Sequence, residues 1–233
     1  QFLMGADTLR IHGTVFSPPT RAVMVFCKLH NIPNEFVQVD LLKHEQKSPE
    51  FLAINPYGQV PAISHGTFGL GESNAIIYYL AEAFHTDSQW FPADIQARAK
   101  VNASLHWHHT NTIKAISPYV YNKVILPKFF QKPVPPPEKI AEWLASLESF
   151  LTSIDAVFAS GNYIARTAQP TFADILLYCY LSQLELDNFD FSSHANLVRW
   201  REEIGGIDAV REVHEPVRQA IAKWNAESQN VQA

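Results

Sequence analysis

The stretch at residues 55–73, NPYGQVPAISHGTFGLGES, constrains the fold more than any other part of the chain. It begins with an Asn-Pro-x-Gly turn and a Val-Pro pair. It continues as two short apolar segments on either side of Gly66 and ends with Glu72-Ser73 at the start of a helical pattern. Two apolar runs around a glycine turn are typical of a β-hairpin. The stretch therefore predicts two paired strands that lead directly into a helix.

The same stretch carries groups suited to binding a small anionic peptide. If the Val60-Pro61 bond is cis, it turns the Val60 backbone outward as an unpaired edge for an extended peptide. The Glu72 carboxylate offers a partner for an ammonium group, and the helix N-terminus at Ser73 offers one for a carboxylate. This combination suits the γ-glutamyl end of glutathione.

The composition indicates a folded chain with room for two small domains. Of its 233 residues, 47% are apolar and 18% are charged, so we expect a packed core and no extensive disorder. The net charge of −5 argues against nucleic acid as the main partner. No apolar run reaches the roughly 18 residues of a membrane span. Cys27 and Cys179 fall in apolar helical patterns, which predict buried thiols rather than a redox pair.

The patterns change character near the middle of the chain. Residues 7–84 carry the order strand–helix–strand–helix–strand–strand–helix, which predicts a thioredoxin-like domain with a mixed four-stranded sheet. Residues 85–93 are polar and turn-rich and predict a linker. Residues 94–233 carry almost only helical patterns, beginning with one long predicted helix over 94–121. The predicted fold class is therefore α/β followed by all-α.

Two local signals divide the helical domain further. Residues 132–137, KPVPPP, predict a rigid loop, because proline cannot continue a helix. Thr171 and Asp174 have the spacing of a capping box, in which the two side chains satisfy backbone N–H groups at a helix start. This second signal concerns folding rather than chemistry.

Three histidines on the predicted long helix raise the question of a metal site. His106 and His109 are three residues apart and can share a face, with His108 between them. No acidic or cysteine partner stands at zinc spacing, and one histidine pair does not complete a site. We therefore expect no metal site.

Together these motifs resemble the cytosolic glutathione transferases, in particular the plant-type members of the theta class. The resemblance runs from residue 9 to residue 223 and implies the transferase fold, a thioredoxin-like domain followed by a helical domain. It is carried by residues 17–23 (SPPTRAV), 48–51 (SPEF), 59–63 (QVPAI), Glu72-Ser73, 90–94 (WFPAD), 107–109 (WHH) and the Thr171/Asp174 box.

The resemblance implies a catalytic role for Ser17. In the theta class a serine hydroxyl just past the first strand donates a hydrogen bond to the glutathione sulfur, and Ser17 occupies that position. From the Ser-Pro pair alone, an N-cap or turn serine is the favoured interpretation; the family pattern reverses that preference. No tyrosine follows the first strand closely, so the tyrosine-type transferases fit poorly.

The resemblance also implies a set of glutathione contacts. Glu72 binds the ammonium group and Ser73 binds the γ-glutamyl carboxylate. The Val60 main chain pairs with the cysteinyl unit, and Pro61 holds the bend. A cap serine after a surface acid is the alternative for the Glu72-Ser73 pair.

The remaining implied contacts surround the other end of the tripeptide and the second substrate. Gln46 and Lys47 match positions at the glycyl end, where many relatives carry histidine in place of Gln46, and Gln59 is a polar neighbour. A solvated basic loop is the alternative for Lys47. The candidates for the apolar electrophile pocket are Phe16, His109, Ile113 and Trp224.

The resemblance finally implies an enzyme that conjugates glutathione to small hydrophobic electrophiles or uses it to reduce organic hydroperoxides. It implies a homodimer with neither nucleic acid nor membrane as partner. We expect a cytoplasmic location, because residues 231–233 (VQA) do not match the peroxisomal tripeptide of plant theta relatives. Two alternatives stay open: a catalytically silent, transferase-like binding or scaffold module, and a dehalogenase-type transferase on the same scaffold.

Overall fold

The computed structural model describes most of the chain. Within the described residues, no helix combines the length and the apolar character needed to cross a membrane. The predicted domain start at residue 7, one residue of the predicted linker and the C-terminal tripeptide lie outside the described residues. The structure describes residues 8–86, 88–161 and 163–230, with side chains up to residue 224.

The first compact unit comprises residues up to 87 together with 211–219. Its elements follow the predicted order, with a 3₁₀ turn at Glu45–Lys47 before the second helix. The bounds are β1 Leu9–Gly13, α1 Pro18–Leu29, β2 Glu35–Gln38, α2 Pro49–Ile54, β3 Ala62–His65, β4 Phe68–Gly71 and α3 Ser73–Ala83. The predicted thioredoxin-like fold is confirmed.

Helices α1 and α2 both begin with a Ser-Pro pair. The N-cap hydroxyl of Ser17 accepts from the Thr20 backbone N–H at 3.5 Å, and that of Ser48 accepts from the Phe51 N–H at 3.2 Å. The proline after each serine suits the first helical position, because its missing N–H has no intrahelical partner there. Local sequence therefore sets where both helices start.

The sheet has the strand order β2-β1-β3-β4. Strand β1 is parallel to β2 and antiparallel to β3, and β3 is antiparallel to β4. Ala62, the first residue of β3, pairs with His12 near the end of β1 and with Gly71 at the end of β4. The end of β1, the start of β3 and the end of β4 therefore lie at one edge of the sheet.

Both faces of this sheet carry apolar side chains. Leu9 and Ile11 of β1 are buried, and the buried apolar residues of the two helices include Ala22, Val23, Val25 and Phe26 of α1 and Ile76, Ile77 and Leu80 of α3. Val39, Phe51 and Ala62 form a separate buried cluster on the α2 side. Because β1 is buried at alternate positions, a shift of one residue would expose its core side chains, which fixes the strand register.

The second compact unit comprises residues 88–210 together with 220–233. It is built from helices, which confirms the predicted all-helical C-terminal domain, and residues 131–136 form the loop that the prolines predict. Its elements are α4 Ile95–Thr110, α5 Thr112–Val120, α6 Leu126–Phe130, α7 Pro137–Phe158, α8 Phe172–Leu181 and α9 Ala195–Gly206; α10 Asp208–Asn230 contributes to both units.

The prediction of one helix over 94–121 is wrong. Helix α4 ends at Thr110, and α5 begins at Thr112. At the break, both the backbone N–H and the side-chain amide of Asn111 donate to the Trp107 carbonyl, at 3.0 and 2.9 Å. An asparagine side chain that competes for a helical carbonyl in this way favours the end of a helix.

Asp174 holds the start of α8. Its carboxylate accepts from the Thr171 N–H at 2.9 Å, the Ile164 N–H at 3.0 Å and the Trp200 indole N–H at 3.0 Å. The predicted capping box is confirmed. The bonds from Ile164 and Trp200 were not predicted, because they come from distant parts of the chain.

His108 is a buried histidine on α4, with 4% of its surface exposed and its ring packed edge-on against Tyr180 at 4.5 Å. Burial, with a smaller contribution from the charge of neighbouring His109, lowers the pKa of its imidazole from 6.5 to about 3. In the unfolded chain the imidazole takes up a proton near pH 6.5, whereas the folded protein resists it. Acidification below pH 6.5 therefore favours unfolding.

We predict that His108→Gln weakens this acid sensitivity. Between pH 6.5 and pH 5.0, wild type should lose about 1.6 kcal/mol more unfolding free energy than the variant, because the slope approaches about 1.4 kcal/mol per pH unit only below pH 6.5. Urea unfolding at fixed protein concentration measures this loss. His106→Gln, an exposed substitution on the same helix, is the control. An equally steep loss in His108→Gln would contradict the account.

Candidate active site

Three segments leave the sheet at the edge defined by Ala62. The loop after β1 leads to Ser17, Val60-Pro61 precedes β3, and Glu72-Ser73 follows β4. The strand pairing of Ala62 with both His12 and Gly71 places these segments at the same end of the sheet. The structure thus gathers three groups that are separate in sequence, the first at Ser17 and the last at Glu72-Ser73.

Ser17 is half-buried and caps α1. Its own N–H donates to the Thr14 carbonyl at 3.0 Å, and its hydroxyl accepts from the Thr20 N–H at 3.5 Å. The N-cap interpretation of Ser17 therefore describes its local role. A serine hydroxyl has one proton and two lone pairs, and capping uses one lone pair. The O–H group keeps its proton for another acceptor.

A buried arginine supports the loop that carries Ser17. Arg21 lies in the first turn of α1 with 1% of its surface exposed, and its Nη1 donates to the Val15 carbonyl at 2.7 Å. Its backbone N–H donates to the Ser17 carbonyl at 3.1 Å. This supporting role of Arg21 was not predicted from the sequence, although an arginine inside an apolar helical pattern was a usable signal.

The Val60-Pro61 peptide bond is cis. Pro61 is buried and Val60 is half-buried. Among the described residues, the Val60 backbone N–H and carbonyl make no hydrogen bond. This backbone can therefore pair with an extended peptide as a further strand would.

Glu72 has an unusual backbone conformation, with φ at 65° and ψ at 108°. A non-glycine residue at positive φ is strained by about 1–3 kcal/mol, and such residues cluster at functional sites. The Glu72 side chain is exposed, whereas Ser73, the first residue of α3, is buried. The first N–H groups of a helix have no intrahelical partner and favour an anion. An acid and an anion-binding helix start are thus adjacent.

The 3₁₀ turn lies against the turn at 55–58. The Lys47 Nζ donates to the Tyr57 carbonyl at 3.3 Å, and Gln46 is half-buried. Gly58 has φ at +60°, and a Cβ there would lie 2.6 Å from the Lys47 Nζ and 2.9 Å from the Gln46 carbonyl oxygen. Only glycine allows this close approach.

An open cavity of about 520 Å³ lies between the turn at 55–58 and Glu72. It is lined by Tyr57, Gln59 and Glu72, of which the sequence predicted Gln59 and Glu72 as site residues. Tyr57 was missed. It is 69% exposed, and a large aromatic residue in an Asn-Pro-x-Gly turn was a signal for a surface contact.

The four candidates for the electrophile pocket are described within their own units. Phe16, in the first unit, is 43% exposed. His109 at the end of α4 is exposed, and Ile113 in α5 is half-buried. The Trp224 ring lies edge-on to Phe129 at 4.8 Å. The pocket that these residues were predicted to form stays a prediction.

Neither cysteine is a candidate nucleophile. Cys27 and Cys179 are both buried free thiols, which confirms the sequence prediction. Burial raises the pKa of the Cys27 thiol to about 12, so it stays protonated at neutral pH.

Comparison with known proteins agrees with the fold. Residues 11–88 match the family model described as glutathione S-transferase, N-terminal domain. The chain is 38% identical over 202 residues to glutathione S-transferase T1 of Arabidopsis thaliana, covering 83% of this chain and 82% of that protein. The chain belongs to the theta class of the glutathione S-transferases. This transferase also matches the longer T3 protein of the same plant at 38% identity, but spans 34% of its length.

Solved theta-class structures resemble this transferase over nearly its whole length. The apo form of human glutathione S-transferase T1-1 superposes with a TM-score of 0.82 at 32% identity, over 92% of this chain and 91% of that one. A human theta-class transferase in complex with the glutathione conjugate of 1-menaphthyl sulfate gives a TM-score of 0.84 at 29% identity, over 95% and 91%. The transferase is thus a member of an enzyme family.

We predict that Gly58→Ala destabilises the transferase more than Gly161→Ala. Both glycines have positive φ, but a Cβ at Gly161 meets nothing within 4 Å. Gly161→Ala should therefore cost only the strain of the left-handed backbone, about 1–2 kcal/mol. Gly58→Ala should cost at least about 1 kcal/mol more, because the Gln46 carbonyl must move. Urea unfolding measures both; equal losses would show that Gly58 does not hold the 3₁₀ turn in place.

Proposed function

We propose that this transferase binds glutathione at the Ala62 edge of the sheet and activates its thiol through the Ser17 hydroxyl. The observation that carries the proposal is the convergence of Ser17, the unpaired Val60 backbone and Glu72 at that edge. The Ser17 O–H donates to the sulfur and stabilises the thiolate. The thiolate then attacks a small electrophile.

One hydroxyl at a helix N-terminus can supply the free energy that is needed to lower the pKa of the glutathione thiol. A free thiol has a pKa of about 8.5, and lowering it by two units requires about 2.7 kcal/mol. A hydrogen bond to a charged group contributes about 1.5–3 kcal/mol, and a helix N-terminus contributes about 0.3–1 kcal/mol. Ser17 supplies the first contribution and the start of α1 supplies the second.

The remaining groups fit the functional groups of the tripeptide. The Glu72 carboxylate binds the ammonium group, and the Ser73 hydroxyl and backbone N–H bind the γ-glutamyl carboxylate. The Val60 backbone pairs with the cysteinyl unit beside Pro61. These contacts hold the sulfur at Ser17, so binding energy from the ends of glutathione orients its reacting atom.

The glycyl end of glutathione lies beside the 3₁₀ turn. Lys47 provides a positive charge for the glycyl carboxylate, Gln46 provides an amide, and Gln59 lines the 520 Å³ cavity. A solved human theta-class relative holds a glutathione conjugate of 1-menaphthyl sulfate, which supports conjugation as the reaction.

The same thiolate also serves the reduction of organic hydroperoxides, and we propose this as a second reaction of the same site. Turnover of cumene hydroperoxide, an aryl halide, a benzyl halide and an isothiocyanate with glutathione distinguishes the two reactions. The homodimer and the cytoplasmic location stay predictions. Sedimentation and imaging of the tagged full chain test them.

We predict that Ser17→Ala raises the pKa of the bound glutathione thiol by about two units. The conjugation rate at pH 6.5 should then fall by roughly 50-fold, because the thiolate fraction falls from about one half to about one hundredth. Thiolate absorbance of the glutathione complex as a function of pH measures the pKa. Glutathione binding should survive, which separates an enzyme from a silent binding module.

Ser48→Ala is the matched control, because Ser48 caps α2 through the same Ser-Pro arrangement. Losing either cap should cost about 1 kcal/mol of stability. Only Ser17→Ala should move the thiol pKa. If the pKa stayed unchanged in Ser17→Ala, the thiolate would be stabilised by another residue.

We predict that Glu72→Gln weakens glutathione binding by about 10- to 100-fold, because a hydrogen bond between charged groups is worth about 1.5–3 kcal/mol. Isothermal titration calorimetry measures the change. Glu50→Gln, an exposed acid on α2, is the control and should bind as wild type does. Unchanged affinity in Glu72→Gln would exclude Glu72 as the ammonium partner.

A further inference from the structure

Asn55 is a buried polar residue between α2 and β3, with 1% of its surface exposed. Its backbone N–H donates to the Phe51 carbonyl at 2.9 Å and ends α2. Its backbone carbonyl accepts from the Gly58 N–H at 3.0 Å and closes the turn. The main chain of Asn55 therefore joins a helix end to a turn.

The side chain of Asn55 bonds to the residues that follow it. Its Nδ2 donates to the Gln59 carbonyl at 2.8 Å, and its Oδ1 accepts from the Tyr57 N–H at 3.2 Å. This orientation of the amide is the only one that satisfies both partners. If its oxygen and nitrogen were exchanged, the oxygen would face the Gln59 carbonyl, another acceptor, and the nitrogen would face the Tyr57 N–H, another donor. The amide thus fixes the path of the backbone through Tyr57 and Gln59.

The same amide touches the end of β4. A Cβ placed on Gly71 would lie 2.5 Å from both the Cγ and the Nδ2 of Asn55. The Gly71 backbone therefore lies directly against the Asn55 side chain, with no room for a larger residue. Glu72, at its strained φ, is the next residue.

These contacts connect Asn55 to the described residues that line the 520 Å³ cavity, namely Tyr57, Gln59 and Glu72. The amide bonds to the first two through their backbones and packs against the residue that precedes the third. Asn55 itself does not line the cavity. A single buried side chain therefore sets the spacing between the turn and the acid.

We infer that Asn55 is a positioning residue for glutathione: it sets the distance between the Gln59-Val60 backbone and Glu72, and hence the affinity for the γ-glutamyl and cysteinyl units. The inference depends on the proposed function, since those groups are the proposed glutathione contacts. Asn55 has no contact with Ser17 among the described hydrogen bonds, so it acts on binding and not on the thiol.

The test compares Asn55→Ala and Asn55→Asp with wild type. Both remove the donor to the Gln59 carbonyl, and Asn55→Asp keeps the shape of the side chain. We expect the dissociation constant and KM for glutathione to rise about tenfold, equivalent to about 1.4 kcal/mol. The bound thiol pKa and kcat should stay within about twofold of wild type.

Asn34→Ala is the matched control, because the Asn34 amide also donates to a backbone carbonyl of the first unit, that of Ile32 at 2.8 Å. A purely structural role predicts the same outcome for both asparagines: a lower melting temperature with unchanged glutathione affinity in the folded protein. That outcome for Asn55→Asp would overturn the inference.

Gly71→Ala tests the same inference by a second route, because it displaces the Asn55 side chain without replacing it. The new Cβ at position 71 must push the Asn55 amide aside. Gly71→Ala should therefore weaken glutathione binding about as much as the Asn55 variants do. The double variant Asn55→Ala/Gly71→Ala should bind no more weakly than Asn55→Ala alone, because the clash is gone. Additive losses would contradict a shared mechanism.

The Glu72→Gln variant separates failure of this inference from failure of the proposed function. If Glu72→Gln weakens glutathione binding and the Asn55 variants do not, the binding site stands and the positioning role fails. If neither weakens binding, glutathione binds elsewhere and the proposed function fails as well.

Discussion

The strand pairing of Ala62 is the constraint on which the site depends. Because Ala62 pairs with His12 on one side and Gly71 on the other, the segments that follow β1 and β4 leave the sheet beside the segment that enters β3. A shift of one residue would turn the core side chains of β1 toward solvent. Hydrophobic burial therefore fixes the arrangement of the polar groups at this edge.

Two helix N-termini begin at that edge, those of α1 and α3. Each presents the positive end of a helix dipole. The start of α3 also presents backbone N–H groups without intrahelical partners, whereas the first two residues of α1 are prolines without an N–H group and the Thr20 N–H donates to Ser17. A ligand with a thiolate and a carboxylate matches two such ends, and the exposed Glu72 carboxylate adds a place for its ammonium group. Ser17, as an N-cap with a spare proton, makes the first helix end selective for an acceptor such as sulfur.

The features that sequence predicted were local. Ser17 and Ser48 start helices, Val60-Pro61 precedes a strand, and Thr171 with Asp174 caps α8; in each case the interacting groups lie within a few residues, so their spacing in sequence determines their geometry. The order of elements in the first unit also followed from short patterns. These signals, with the family resemblance, were enough to name the fold and most of the proposed glutathione contacts.

The features that sequence missed depend on distant contacts. The contact of Asn55 with Gly71 and the bond from Trp200 to Asp174 join residues far apart in the chain, and no local pattern encodes them. The break at Asn111 was missed for another reason: its amide competes for the Trp107 carbonyl within an otherwise continuous helical pattern. Helical periodicity gives no sign of such a competition.

A crystal structure of the protein with glutathione tests the central claim most directly. The account predicts the sulfur within hydrogen-bond distance of the Ser17 Oγ, the cysteinyl backbone paired with Val60 and the ammonium group against Glu72. A tripeptide bound away from the Ala62 edge, or a Ser17 hydroxyl directed away from the sulfur, would contradict it.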